Sequence, residues 1–188
     1  MSEEARAKAR EYLKARGTLQ PAAVIRARVA DAFESFDRLV APLRSAMVSR
    51  RAILEEWTVQ EIVDHLVETH RPGLDELRCL LAGRRPPGGP ISASLQSKAP
   101  LLRPWQGLLD ELRRIHGGIL AVLESVPADF TTDATAPLVM VINVEAAPGR
   151  VTPLEWVEEL DWKAYAITWR LHVIDHLNQA RKVLAKCA

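Results

Sequence analysis

Apolar residues recur along most of this chain at the three-to-four spacing of helices that bury one face. After Pro21, which suits a first helical position, Val24, Val29, Phe33, Phe36 and Val40 form one stripe, and Pro42 closes it. Thr58, followed three residues later by Glu61, has the form of a capping box. Behind it Ile62, His65, Leu66 and Thr69 share an inner face. Pro72-Gly73 is expected to kink or interrupt this second helix before Leu74, Leu77, Leu80 and Leu81 resume the pattern. Trp105, Leu108, Leu109, Leu112, Ile115, Ile119, Leu123 and Val126 mark a third. A last helical pattern opens at Thr152-Pro153-Leu154-Glu155, by the same capping logic, and runs to about Lys186. Unbroken it would span about 50 Å at 1.5 Å per residue, so a break near Asp161 is expected. The principal helices are thus predicted at about 21–41, 58–82, 104–126 and 162–186.

The connections are long. Gly83 to Pro104 carries five prolines and three glycines and reads as a loop. Its length suits a crossover rather than a turn between antiparallel neighbours. Up to Gly149 the next stretch is turn-rich except for the apolar run Leu138 to Val144, a short strand or a buried extended loop. At the other end Ser2 can cap a short accessory helix over residues 1–17, with Glu3 and Glu4 in its first turn and Gly17 as its stop. The expected fold class is all-α: a four-helix bundle with long crossover connections, in one domain over 1–188 with its core in 18–188.

Composition narrows the function. Lys and Arg number 25 against 24 Asp and Glu, so no positive field exists to attract phosphate backbones, and nucleic acid is not an expected partner. No run of eighteen apolar residues and no apolar signal segment after Met1 suggest a membrane. Cys79 and Cys187 are too few for a disulfide framework, so reduced thiols in a cytoplasmic protein are expected.

The candidate chemistry lies in histidine. His172 and His176 are one turn apart and share a helix face. His65, on the patterned start of the second helix, supplies a third imidazole from a facing element. Three neutral imidazoles hold a divalent metal (Zn, Ni or Fe) with a position left open for water or substrate. A ligating imidazole normally donates its other N–H to an outer partner. Glu61, one turn before His65, and Gln179, three residues after His176, are the candidates. Tyr165 and Trp169, one to two turns before His172, could line the pocket. His70 and His116 are read as ordinary packed histidines, and the five tryptophans as core anchors.

The segment Trp57-Thr58-Val59-Gln60-Glu61-Ile62-Val63-Asp64-His65-Leu66 resembles the second-helix signature of the DinB/YfiT-like family of metalloenzymes. His172-Val-Ile-Asp-His176-Leu-Asn-Gln179 resembles that family's last-helix motif. The resemblance covers roughly residues 20 to 186 and implies a four-helix bundle with one divalent metal on His65, His172 and His176. The chain departs from the family pattern between Thr152 and His172, which is longer by a couple of helical turns. Some relatives use the metal to activate a low-molecular-weight thiol. The resemblance therefore implies a thiol-dependent S-transferase acting on a small molecule; a homodimer is a further expectation. The alternatives are a hydrolase with metal-activated water, and a non-catalytic, stress-related binding or scaffold protein with a vestigial site.

Overall fold

A computed structural model describes residues 2–147 and 150–187. Helices α1 (Ser2–Leu13), α2 (Ala22–Val40), α3 (Ser45–Val48), α4 (Val59–Leu81), α5 (Trp105–Glu124) and α6 (Trp162–Ala185) are joined by one hairpin, β1 (Thr135–Ala147) with β2 (Arg150–Asp161). The four long helices end within one or two residues of the positions that the apolar stripes predict.

Pairs along the helices fix their directions. Arg26 meets Glu124, Asp37 meets Arg113, and Trp105 donates to the Leu43 carbonyl, so α2 and α5 are antiparallel. His65 meets His172 while Tyr165 meets Glu76, so α4 and α6 are antiparallel too. His70 meets His116 and Leu74 meets Gly118, which makes α4 and α5 parallel. Gly17, just before α2, touches Ala164 at the start of α6, and Lys182 near the end of α6 pairs with Glu56 beyond α2. Hence α2 and α6 are parallel as well. Around the square the order is α2, α5, α4, α6. Parallel neighbours cannot be joined by a short turn. The stretch 82–104 is the crossover this arrangement requires between α4 and α5.

Pro72 does not interrupt α4, which runs unbroken from Val59 to Leu81. A proline inside a helix removes one N–H, whose partner would be the carbonyl of the half-buried Glu68. Gly73 instead makes a notch: a Cβ there would lie 3.3 Å from the Tyr165 hydroxyl and 3.4 Å from the Trp169 ring, so both aromatics of α6 pack directly on α4. The close approach of Gly17 to α6 is tighter. A Cβ there would fall 2.8 Å from the Ala164 Cα and 2.9 Å from the Lys163 carbonyl, so the π-helical turn Lys14–Thr18 meets α6 backbone to backbone.

The hairpin settles one expectation and corrects another. The apolar run 138–144 is a strand, and it belongs to a ladder twice that length in which Ala136 pairs with Leu160 and Met140 with Trp156. Thr152 to Asp161 is its partner strand and not a helix. Leu154, Trp156 and Leu160 alternate toward the bundle, with Val157 54% exposed on the other face. Pro137 and Pro153 are tolerated because both strands of a two-stranded sheet are edges. The expected break near Asp161 is the joint itself. Asp161 ends β2 and caps α6, its carboxylate accepting from the Lys163 and Ala164 amides at 2.8 and 2.9 Å. The added length before His172 is therefore strand, not helix. No helix among the described residues is long and apolar enough to cross a membrane.

Candidate metal centre

Thr58 and Glu61 set the start of α4 and so the height of His65. The Thr58 amide donates to the Glu61 carboxylate at 2.6 Å, and the Glu61 amide donates to the Thr58 hydroxyl at 3.2 Å. From there His65 points across to α6, where the one-turn spacing stacks His172 and His176. The Nε2 atom of His172 lies 2.9 Å from that of His65 and 3.0 Å from that of His176. One ring nitrogen from each of the three lies within 4.8 Å of the others. Trp57 roofs the cluster, its ring 4.9 Å from that of His65 and stacked at 5.9 Å on that of His176.

Each outward-facing Nδ1 has a partner. His65 Nδ1 donates to the Leu95 carbonyl at 2.7 Å, and His176 Nδ1 to the Gln179 side-chain oxygen at 2.9 Å. Both therefore turn a bare Nε2 lone pair inward. His172 Nδ1 meets His70 Nε2 at 3.0 Å, and His70 Nδ1 meets His116 Nε2 at 3.1 Å. All 5 histidines of the chain thus form one connected network. Burial keeps them neutral. It pushes His65 down to about 4, with the nearby His176 adding to the effect, and His116 down to about 3. Burial likewise holds His70 and His172 well below the usual histidine range and lowers His176.

This donor set fits a divalent metal. Neutral imidazoles with lone pairs converging at 2.9–3.0 Å, two of them committed to acceptors behind, need a cation or a proton between them. Metal–nitrogen bonds of about 2.1 Å in a tetrahedral arrangement place ligand atoms about 3.4 Å apart, which is within reach of this set.

The other expected pocket residues are elsewhere. Glu61 makes no hydrogen bond to His65. It closes the cap of α4 and pairs with Arg51 at 2.6 Å. Tyr165 points away, donating to Glu76 at 2.6 Å; burial raises both groups, and the hydroxyl is not free for a substrate. Trp169 lies edge-on to His70 at 6.3 Å and walls that ring, not the cluster of three. Of the two outer-partner candidates read from the sequence, Gln179 is the one whose side chain meets a cluster ring, at His176 Nδ1. The rest comes from the crossover, which sequence reasoning passes over. Asp64, fully buried, accepts from the Ser97 amide and hydroxyl at 2.8 and 2.7 Å and from Arg103 at 2.8 Å. Gln60 donates to the Pro100 and Arg103 carbonyls, and Gln96 to that of Glu61. Buried polar residues on the first turns of α4 were the available signal, because they must find partners.

Residues 29–158 match the sequence model of the mycothiol maleylpyruvate isomerase N-terminal domain, well over half of the 188 residues. The chain belongs to that family. The family lies in the DinB/YfiT-like superfamily, the resemblance carried by the His65 segment and by the last-helix motif. The matched stretch includes His65 but ends before His172 and His176. Among solved structures the chain is similar to YfiT from Bacillus subtilis, described as a probable metal-dependent hydrolase with an unusual four-helix bundle topology. The TM-score is 0.63 at 14% identity, covering 86% of this chain and 85% of that one. At that identity the likeness concerns the fold. No curated protein matches the chain.

Proposed function

We propose that this protein is a divalent-metal-dependent enzyme whose three-histidine site activates a small thiol for transfer to an electrophilic small molecule. The observation that carries the reading is the convergence of the His65, His172 and His176 Nε2 atoms, with an outward partner behind each ring. A divalent ion on such a site acts as a Lewis acid and lowers the pKa of a bound thiol or water. The protein's part is to hold three neutral imidazoles under the Trp57 ring, with the tautomers of His65 and His176 fixed by oxygen acceptors behind them, in a bundle whose apolar interior strengthens electrostatic interactions. The choice of thiol draws support from the family's name, which belongs to a mycothiol-using isomerase. The free Cys79 and Cys187 agree with a reducing, cytoplasmic setting.

Hydrolysis by metal-activated water is the second reading, favoured by the description given to YfiT. One experiment separates them. Protein purified without chelator is assayed for metal content and then incubated with an electrophile, with and without a low-molecular-weight thiol. Turnover that requires both metal and thiol is expected. Turnover without thiol would replace the transferase with a hydrolase. Absence of stoichiometric metal would leave a binding or scaffold protein.

A further inference from the structure

Two buried histidines take no part in the three-fold cluster, yet both are tied to it. His70 is 1% exposed and hydrogen-bonded on both nitrogens, to His172 and to His116. His116 stacks flat on Phe33, with ring centroids 3.5 Å apart and planes within 7°. It lines an open cleft of about 210 Å³ between α2 and α5, together with Phe33, Asp37 and Arg113. Its Nδ1 has no protein hydrogen-bond partner among the described residues. A row of three imidazoles therefore runs from the cluster across the bundle to a solvent-facing cleft.

A neutral imidazole has one N–H and one lone pair, so the row can be satisfied in only two ways. In one, every bond points inward: His116 Nε2–H donates to His70, His70 Nε2–H donates to His172, and His172 Nε2–H donates into the cluster toward His65 and His176. In the other, every bond points outward. His172 Nδ1–H then donates to His70, His70 Nδ1–H donates to His116, and His116 Nδ1–H faces the cleft. Only the outward arrangement frees the His172 Nε2 lone pair. His65 and His176 have no such choice, because a carbonyl and an amide oxygen fix their Nδ1–H.

We infer that His70 and His116 are positioning residues that set the tautomer of His172, and that their hydrogen bonds reverse direction when a metal binds. The inference rests on the three-histidine reading above. The reversal balances: the proton on His172 Nε2 is released at the cluster, one proton passes along each of the two bonds of the row, and His116 Nδ1 takes one from water in the cleft. All three rings are neutral before and after.

The test is nitrogen NMR of protein carrying 15N-histidine, metal-free and then loaded with zinc. His70 and His116 are expected to exchange which ring nitrogen bears hydrogen on loading, while His65 and His176 keep theirs. Unchanged His70 and His116 tautomers would overturn the reversal. Zinc affinity of His70→Leu, measured by competition with a chelator, supplies a second reading. A loss of about 10- to 100-fold is expected, with much of it recovered in His70→Gln, whose side-chain oxygen can accept from His172 Nδ1–H. Wild-type affinity in a folded His70→Leu protein would overturn the positioning role alone. A wild-type protein that binds no divalent metal would instead overturn the metal-enzyme reading, and this inference with it. The NMR readout needs no variant, so it stands even where His70→Leu does not fold.

Discussion

Two long connections leave the bundle, and they are built differently. The crossover 82–104 is fastened to α4 by polar bonds: Gln60, Glu61, Asp64 and His65 all reach it, and its Leu95 carbonyl orients a ring of the candidate centre. The hairpin 135–161 is held mainly by apolar burial of Ala136, Met140, Trp156 and Leu160, with ion pairs to Arg10 and Arg85 at its rim. Its joint to the bundle is the N-terminus of α6, which it caps with Asp161. Polar fastening aims a backbone group at a stated atom; apolar packing sets an orientation but aims nothing. The crossover is thus part of the site, and the hairpin is part of the scaffold.

The largest expected effect comes from unfastening the crossover. Asp64→Ala removes three hydrogen bonds to a buried carboxylate and leaves the Ser97 amide without its acceptor. Breaking a buried, hydrogen-bonded charge pair costs about 3–5 kcal/mol, and a loss at the lower end, about 3 kcal/mol, is expected. Arg103 keeps Glu68 and Glu111, which limits the damage. Zinc affinity should fall together with stability, because the Leu95 carbonyl moves with the loop. Chemical denaturation and metal competition on the same variant check this; lost stability with intact affinity would make the crossover mere scaffold.

Acid should act on the same region. His116 and His65 are neutral in the fold, held near 3 and 4, but ordinary near 6.5 once unfolded. Below 6.5 the unfolded chain binds more protons than the native one. Stability is therefore full above about pH 6.5 and falls as pH drops from there toward 4. The slope is about 1.4 kcal/mol per pH unit for each such group, or about 3 for the two. Glu76 and Asp175, both raised by burial, oppose this in part. Metal-free protein is expected to unfold between about pH 6 and 4, set against a typical total stability of about 5–15 kcal/mol. Tryptophan fluorescence against pH reads it, and a denaturation midpoint unchanged from pH 7 to 4.5 would show that the histidines are not buried and neutral.

The same contrast explains what was legible in the sequence. The four helices and the three converging histidines follow from local rules: capping at Thr58, the one-turn spacing of His172 and His176, and apolar stripes that decide which face turns inward. The second strand of the hairpin reads as helix because Thr152-Pro153-Leu154-Glu155 satisfies the capping pattern while its period-two alternation begins only at Leu154. Pairing with the preceding strand β1 decides between them. Glu61 lies one turn from His65, where an outer partner is expected, yet its carboxylate closes its own helix cap. The true partner is a backbone carbonyl thirty residues on, which no side-chain pattern announces. His70 and His116 lie on parallel helices 46 residues apart, and their bond depends on the crossover topology.

Gln179→Leu isolates one outer partner without disturbing either connection. His176 loses the acceptor that fixes its Nδ1–H, so its Nε2 is free only part of the time. A roughly 10-fold drop in zinc affinity is expected, from the usual range for such partners. Gln179 is only half-buried, so the denaturation midpoint should stay near that of the wild type. Equal affinity in the two proteins would mean that helix geometry alone orients His176.

The smallest effect belongs to the hairpin's rim. Arg85 donates to both carboxylate oxygens of Glu159 at 2.6 Å, the shape of a strong pair, and the pairing raises Arg85 and lowers Glu159. Both side chains are about half exposed, at 52% and 49%. In water and salt the attraction is screened, and ordering two long side chains offsets most of what remains. Arg85→Ala should therefore leave the denaturation midpoint and zinc affinity unchanged within error, even though it cuts a link between the start of the crossover and the hairpin. A clear drop in zinc affinity would break the division drawn here. It would mean that the two connections act on the site as one unit, with the hairpin steadying the crossover that carries Leu95.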